Sequence, residues 1–178
     1  MDPVSEPIPS RGLRGDAILA DPLVQELLAA RTIGVLATLE RDGSIHAVPL
    51  WLSGENGEIV LATGSASRKV RNLERDPRAT LVLHDSRPGA EVCGASLRGR
   101  VEIVRGKEAR PLIQSVHHRY VTADGLQRPE VEAFLKVDDV ALRFHPDAAV
   151  TWDERASAAA RVLRETGEAL PLEPTTPR

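Results

Sequence analysis

The sequence has few of the features that define several common classes of protein. Cys93 is the single cysteine, so no intrachain disulfide can form, which fits a reducing compartment. No apolar run approaches the ~18 residues of a membrane-spanning helix. The N-terminus also lacks an apolar stretch of signal-peptide length. We therefore expect a cytoplasmic protein that does not interact with membranes.

Aromatic residues and net positive charge are also scarce. Aromatic residues make up 3% of the 178 residues, so the core must be built from Val, Leu, Ile and Ala. The formal net charge of −3 gives no general attraction to phosphate backbones, which argues against a nucleic-acid partner. Hydrophobic residues at 42% and charged residues at 28% are an ordinary globular balance, and the length favours one domain with tails.

The sequence does contain a series of short strand patterns separated by turns. These are TIGVLATLE (32–40), IHAVPLWLS (45–53), EIVLATG (58–64), RATLVLH (78–84), EVCGASLRGRVEIV (91–104) and DVALRFH (139–145). Asp42 and Gly43 form a typical hairpin turn, and strands joined by such short connections must be antiparallel. The pattern predicts a mainly β fold, a six-stranded antiparallel barrel with short α-helices between the strands.

Helix signals and proline-rich ends divide the chain into three parts. Asp21 is a plausible N-cap for a first helix, Ser67 for a second and Asp153 for a C-terminal one. Pro, Gly and Ser are frequent at the N-terminus, and the C-terminal tail is rich in Pro. We expect a flexible segment over residues 1–20, the barrel over residues 21–152, and a helical extension with a loose tail over residues 153–178.

A cluster of positive charge stands out in this mildly acidic chain. Arg68, Lys69, Arg71, Arg75 and Arg78 lie within 11 residues, directly after a turn of small residues. The first two fall in the first turn of the predicted helix, where the free N–H groups and the helix dipole favour an anion over a cation. The P-loop pattern is absent. The cluster therefore predicts either a phosphate site of another kind or a solvated helix face.

Three of these segments together resemble the pyridoxamine 5′-phosphate oxidase-like family of split barrels. They are GVLATLERDGSIHAVPLWL, EIVLATGSASRKVRNLERDPRATLVL and LRGRVEIV, and the resemblance covers about residues 21–152. The chain looks most like the actinobacterial branch that includes deazaflavin (F420)-dependent reductases. The resemblance implies a six-stranded split barrel of the FMN-binding type. It also implies a homodimer with the cofactor groove at its interface.

The resemblance further implies which residues hold the cofactor. The candidates are His46, Val48, Pro49, Leu50 and Trp51 on one strand, Ala62 and Thr63 at the end of the next, and Ser67, Arg68, Lys69 and Asn72 at the basic helix. Arg68 and Lys69 match the phosphate-binding pair and are expected to face solvent when the site is empty. Asn72 would hold the first turn of the helix in place. Without the resemblance, Trp51 would read as a core residue and His46 as a polar surface residue.

The activity implied by the resemblance is hydride transfer between F420 and a small organic substrate. FMN is the alternative cofactor, and a non-catalytic flavin- or haem-binding protein on the same fold is the alternative class. No catalytic residue stands out in the sequence. The histidines show no spacing typical of metal ligands, so no metal site is predicted. The chain also lacks the Arg-rich C-terminal segment of the pyridoxamine phosphate oxidases themselves, which argues against vitamin B6 as the substrate.

Overall fold

The computed structural model describes residues 10–84, 93–135 and 139–168, and its centre is one antiparallel sheet. The strands are β1 (Ser10–Arg14), β2 (Gly34–Leu39), β3 (Ile45–Leu50), β4 (Leu52–Ser53), β5 (Ile59–Gly64), β6 (Arg78–His84), β7 (Cys93–Val104) and β8 (Asp139–Asp153). Their order is β3-β2-β6-β7-β8-β5-β4, and β1 pairs with β8. This arrangement confirms the mainly antiparallel split barrel, with eight strands in the described residues rather than the predicted six.

Short helices connect and cover the strands. They are α1 (Ala17–Ala20), α2 (Pro22–Ala29), α3 (Arg68–Arg75), α4 (Gly106–Tyr120), α5 (Ala123–Leu126), α6 (Pro129–Leu135) and α7 (Ala158–Thr166). Asp21 caps α2 as predicted, because its carboxylate accepts hydrogen bonds from the N–H groups of Leu23 and Val24. Within the part of the chain that the structure describes, no helix is long and apolar enough to cross a bilayer.

The alternating pattern of β7 shows how the sheet buries its inner face. Leu97 and Val101 are buried in the core, whereas Arg98 between them is exposed. The register of β7 against β8 shifts between Arg98 and Gly99. At Gly99 the backbone lies so close to the carbonyl group of His145 that a Cβ atom would clash with it. This register shift at Gly99 fits a β-bulge, which bends the longest strands of the barrel.

A second, smaller apolar cluster fixes α4 against the other face of the sheet. It joins Val60 of β5 and Ala141 of β8 to Ala109 and Val116 of α4. Trp51, Ala62 and Tyr120 pack against this cluster and are only partly buried. The helix therefore lies beside the end of β5, where the predicted cofactor residues are found.

The N-terminal region differs from the flexible segment expected over residues 1–20. Ser10–Arg14 forms β1, which pairs with the end of β8 from Trp152 to Ala148. Ile18 of α1 is fully buried in the core, and Arg11 forms an ion pair with Asp21. Residues 10–20 are thus part of the folded unit, and residues 1–9 lie outside the described residues.

The C-terminal helix forms, but Asp153 does not cap it. Ser157 is the N-cap of α7, and its hydroxyl group accepts a hydrogen bond from the N–H of Ala160 at 3.1 Å. Asp153 instead ends β8 and binds Arg155. Gly167 has a φ of +68° and ends the helix. Residues 85–92, which include the first two residues of the strand pattern 91–104, and the tail at residues 169–178 lie outside the described residues.

Candidate functional site

A cleft of about 500 Å³ opens where β3 and β5 end beside α4. Its lining consists of Ile33, Pro49, Leu50, Trp51, Ala62, Thr63, Gly64, Val116, His117, Leu135 and Asp139. Five of the predicted cofactor residues line it, namely Pro49, Leu50, Trp51, Ala62 and Thr63. The walls are mostly apolar, and few polar groups face the space. Such a lining suits a ring system whose orientation is set by a small number of polar contacts.

Trp51 forms a rigid wall of this cleft because aromatic neighbours fix its indole ring. The ring stacks on that of Tyr120 with 4.9 Å between centroids and 7° between planes. The hydroxyl group of Tyr120 donates a hydrogen bond to the carbonyl oxygen of Thr32 at 2.6 Å and accepts one from the N–H of Leu52 at 3.3 Å. These bonds tie the aromatic pair to the backbone on both sides. Trp51 is half-buried, so it serves the packing of α4 and the cleft at the same time.

The basic start of α3 meets this cleft at Thr63. The Nζ atom of Lys69 donates a hydrogen bond to the hydroxyl oxygen of Thr63 at 3.0 Å. Lys69 is half-buried, and this burial lowers the pKa of its ammonium group below the ordinary value of 10.5. Within the described part of the chain, no carboxylate lies within 4.0 Å of the Nζ atom. The expectation of a solvent-facing Lys69 is therefore wrong, because its stem lies against the barrel.

Arg68 and Ser67 complete the first turn of α3 in different ways. Arg68 is exposed as predicted, with its guanidinium group 3.6 Å from a carboxylate oxygen of Glu40. Ser67 occupies the N-cap position, but its side chain makes no capping hydrogen bond. Its hydroxyl oxygen is buried and has no hydrogen-bond partner among the described residues. A buried hydroxyl without a partner is costly, and an anion at this helix start would supply one.

Asn72 anchors α3 to the sheet and does not line the cleft. Its side-chain amide, which is buried, donates a hydrogen bond to the hydroxyl oxygen of Thr38 on β2 at 3.2 Å. The Thr38 hydroxyl in turn donates to the carbonyl oxygen of His46 on β3 at 3.3 Å. Asn72 was predicted to support the first turn of α3. Through these bonds it holds the whole helix against β2.

His46 and Val48 also lie outside the lining of the cleft. Both are half-buried on β3, and the Nδ1 atom of His46 is 4.0 Å from a carboxylate oxygen of Glu40. The structure thus brings together the predicted residues of the strand ends and the helix start through Thr63. His46, Val48 and Asn72 support this region from the side.

The wall supplied by α4 was not predicted from the sequence. Val116 and His117 line the cleft from this helix, and Asp139 lines it from the start of β8. His117 is 9% exposed, and its imidazole ring meets the edge of Trp51 at 6.4 Å and 79°. Burial lowers the pKa of this imidazole, and the charge of Asp139 opposes the shift. His117 stands four residues after Ile113, which packs against the apolar cluster, and this spacing could have placed it on the inward face.

The described side chains around the cleft include no arrangement typical of hydrolytic or metal-dependent catalysis. No group of three His, Cys, Asp or Glu side chains in the described ranges is placed to hold a metal ion. Cys93 is buried in the main core, away from the cleft lining. What the site offers is an apolar and aromatic cleft that adjoins a cationic helix start.

The fold and this cleft define the class of split-barrel proteins that bind flavin-type cofactors. A family profile described as pyridoxamine 5′-phosphate oxidase matches residues 20–153, which is most of the chain. The chain therefore belongs to the pyridoxamine 5′-phosphate oxidase-like family. No curated protein matches the sequence significantly.

Several solved structures are similar to this chain. A conserved hypothetical protein from Mycobacterium tuberculosis is 29% identical, with 93% of this chain and 94% of that chain covered and a TM-score of 0.62. An F420 reductase is 24% identical over 70% of this chain and 94% of its own, with a TM-score of 0.54. The haem storage protein HutZ from Vibrio cholerae is 14% identical over 75% of this chain and 94% of its own, with a TM-score of 0.58. The last two identities show a shared fold.

Proposed function

We propose that the protein is an F420-dependent reductase that transfers a hydride from the reduced deazaflavin to a small organic acceptor. One observation carries this proposal: the apolar cleft joins, at Thr63, a half-buried Lys69 that has no carboxylate partner in the described residues. The buried hydroxyl of Ser67, which lacks a partner there, adds a second unsatisfied polar group. A cofactor with a planar ring system and a phosphate group matches both halves of this site.

The chain's own residues divide the work of holding such a cofactor. Lys69, Arg68 and the hydroxyl of Ser67 would bind the phosphate, since charge-assisted hydrogen bonds are the strong ones. Leu50 and Trp51 would lie against the ring system and exclude water from it. The bound, reduced cofactor supplies the hydride, and the protein binds, orients and shields it.

The choice of F420 over FMN rests on two points. The sequence resembles the branch of the family that includes F420-dependent reductases, and an F420 reductase is among the similar structures. Arg71 follows Lys69 on α3, is exposed, and would add charge for the anionic oligoglutamyl tail of F420. FMN also carries a phosphate group and is the alternative cofactor for this site.

The proposed assembly is a homodimer, because the cleft adjoins an exposed apolar surface. We call this surface the outer face; it comprises Val35, Ala37, Leu39, Ile45, Ala47, Pro49, Val82 and Val150, which face outward from β2, β3, β6 and β8. Ile45 is 72% exposed and Val150 43% exposed. Pro49 belongs both to the outer face and to the cleft lining, so a second copy on this face would also border the cleft. Obligate dimers commonly bury ~2,000 Å² or more in such contacts.

Titration of the purified protein with F420 and with FMN, in separate experiments, tests the proposed cofactor. We expect saturable quenching of F420 fluorescence and weaker binding of FMN. Mass spectrometry of any cofactor that copurifies gives an independent readout. Tighter binding of FMN would favour the alternative cofactor, and a Soret band in the purified protein would favour the haem-binding class.

Light scattering on wild type and Ile45→Glu tests the assembly. We expect a dimer at micromolar concentration for wild type and a monomer for the variant, because a carboxylate within an apolar interface would be desolvated without a partner. A wild type that is monomeric at this concentration would contradict the proposed homodimer.

A further inference from the structure

A second cleft adjoins the one described above and shares part of its lining. It has a volume of about 610 Å³ and lies between α4 and the segment formed by α5 and α6. Three residues, His117, Leu135 and Asp139, line both clefts. The two spaces therefore meet at these side chains, and His117 is the histidine at the junction.

Packing places His117 at this junction, and its ring nitrogens form no hydrogen bond with the described residues. It is 9% exposed, and the edge of Trp51 contacts its ring. No described residue forms a hydrogen bond with the imidazole. A buried ring whose nitrogens lack a protein partner is positioned to bond to a molecule in the adjoining space.

Few other groups in the first cleft can hold a proton near neutral pH. Thr63 already accepts the bond from Lys69, and Trp51 carries an indole N–H that does not titrate. The other titratable group of the lining, Asp139, is a carboxyl group on β8. Within the described lining, His117 is the side chain whose ordinary pKa lies near neutrality.

The charged and titratable groups around His117 come from four elements. On α4 they are Arg110 and the neighbouring His118, and on α6 Glu132. On β8 it is Asp139, and beyond Thr63 it is Lys69 of α3. Burial has the largest effect on the pKa of His117 and lowers it, while Asp139 raises it and His118 lowers it further. Burial therefore favours the neutral form of the imidazole, and a ring that is protonated at this site readily gives up its proton.

We propose that the acceptor molecule occupies the cleft between α4 and α6, and that His117 exchanges a proton with it at the junction. This inference rests on the proposed reductase function. Reduction of a polarised double bond needs a hydride and a proton. The hydride, with its two electrons, comes from the reduced flavin-type cofactor and forms the new C–H bond. The π-electron pair moves to the neighbouring atom, which takes the proton from the imidazolium of His117, and the imidazole then regains a proton from water.

The experiment uses the full chain with cyclohex-2-enone as the probe acceptor, and it compares wild type with His117→Asn. His145→Asn is the matched control, because His145 is exposed on β8 outside both clefts. The single-turnover rate of cofactor oxidation should fall as pH rises through the pKa of His117, which lies below 6.5. In His117→Asn this rate should drop by about 10²-fold and lose its pH dependence. The cofactor Kd of this variant should change by less than about threefold.

A second readout does not depend on turnover. The protein has five histidines, so histidine labelled with ¹³C should give five imidazole signals, and His117→Asn identifies one of them. In wild type this signal should report a pKa below 6.5 and should shift when the enone is added to the protein with bound cofactor. His117→Gln, checked by circular dichroism, provides a further variant if the Asn variant does not fold.

The outcomes separate this inference from the function on which it rests. A wild type that binds neither F420 nor FMN would overturn both. A wild type that binds cofactor normally, with a His117→Asn variant that keeps the same rate and pH dependence, would overturn the inference alone. A His117 signal that does not respond to the enone would do the same.

Discussion

Lys69 and Arg155 are both cationic side chains partly withdrawn from solvent, but they differ in whether carboxylates surround the charged group. The guanidinium group of Arg155 bonds to both carboxylate oxygens of Asp153, at 2.9 and 2.6 Å, and to those of Glu26, at 2.6 and 3.1 Å. These carboxylates raise the pKa of Arg155. Among the described residues, Lys69 has the hydroxyl of Thr63 as its hydrogen-bond partner and no carboxylate, and burial lowers its pKa. Arg155 is thus paired with carboxylates, whereas the ammonium group of Lys69 has no such partner in the described part of the chain.

The largest expected effect is on cofactor binding, which we assign to Lys69 and not to Arg155. Arg68→Ala combined with Lys69→Ala should weaken cofactor binding by about a hundredfold or more, because each charge-assisted hydrogen bond contributes roughly 1.5–3 kcal/mol. Arg155→Ala should leave the affinity unchanged within about twofold. Fluorescence titration of the three proteins measures both. The loss in the double variant should shrink at high salt, and equal affinity of double variant and wild type would mean that the start of α3 is a solvated helix face.

The second-largest expected effect is on stability, to which Arg155 contributes and Lys69 does not. Arg155→Ala should lower the free energy of unfolding by about 1–2 kcal/mol, because it leaves Asp153 and Glu26 without their common partner. Solvent screens these partly exposed carboxylates and keeps the loss in this range. The melting temperature should fall by about 2–8 °C. Calorimetry measures the change, and an unchanged melting temperature would show that the ion pairs do not stabilise the fold.

The contribution of the Arg155 cluster should depend on pH. The hydrogen bond from Arg155 lowers the pKa of Asp153 below its ordinary value of 3.8. A carboxyl group with a lowered pKa stabilises the fold above the unfolded-state pKa, and this contribution is lost as pH falls through the folded-state value. The difference in melting temperature between wild type and Arg155→Ala should therefore shrink from about pH 5 towards about pH 2. A difference that stays constant over this range would contradict the assigned cause.

The smallest expected effect is the stability change in Lys69→Met. This substitution keeps the packing of the stem and removes a charge that has no carboxylate partner in the described residues. The free energy of unfolding should stay unchanged or rise by up to ~0.5 kcal/mol, which corresponds to about 1–2 °C in melting temperature. A loss above ~1 kcal/mol would mean that the bond to Thr63 serves the fold itself.

The sequence allowed the local parts of the fold to be predicted. The turn at Asp42 and Gly43 forms as expected, with Gly43 at a φ of +87° and the N–H of Glu40 donating to the carbonyl oxygen of Ser44. In contrast, β1 has no strong strand pattern, and only Leu13 of its five residues is half-buried, while the other four are exposed. Its pairing with β8 joins residues about 140 positions apart, and nothing local in the sequence encodes it.

The same distinction between local and distant contacts applies to the candidate site. The lining residues at the strand ends, such as Trp51 and Thr63, follow a recognisable order of motifs. His117 reaches the cleft only because α4 packs across β5 and β8 through an apolar cluster, and Asp139 reaches it because β8 pairs with β5 at Gly64. The prediction that Asp153 caps α7 was wrong for a related reason. Both Asp153 and Ser157 are good caps, but Arg155 binds the carboxylate of Asp153, and Ser157 then starts the helix.

The most direct test of the central claim is a measurement of the pKa of the Lys69 ammonium group with and without cofactor. The sequence has three lysines, Lys69, Lys107 and Lys136, so an NMR pH titration should resolve three signals, and Lys69→Met identifies the relevant one. We predict a pKa below 10.5 in the free protein and a rise when F420 or FMN saturates the site, because an anion favours the charged form. A pKa that does not change on saturation would contradict the claim that Lys69 binds the cofactor.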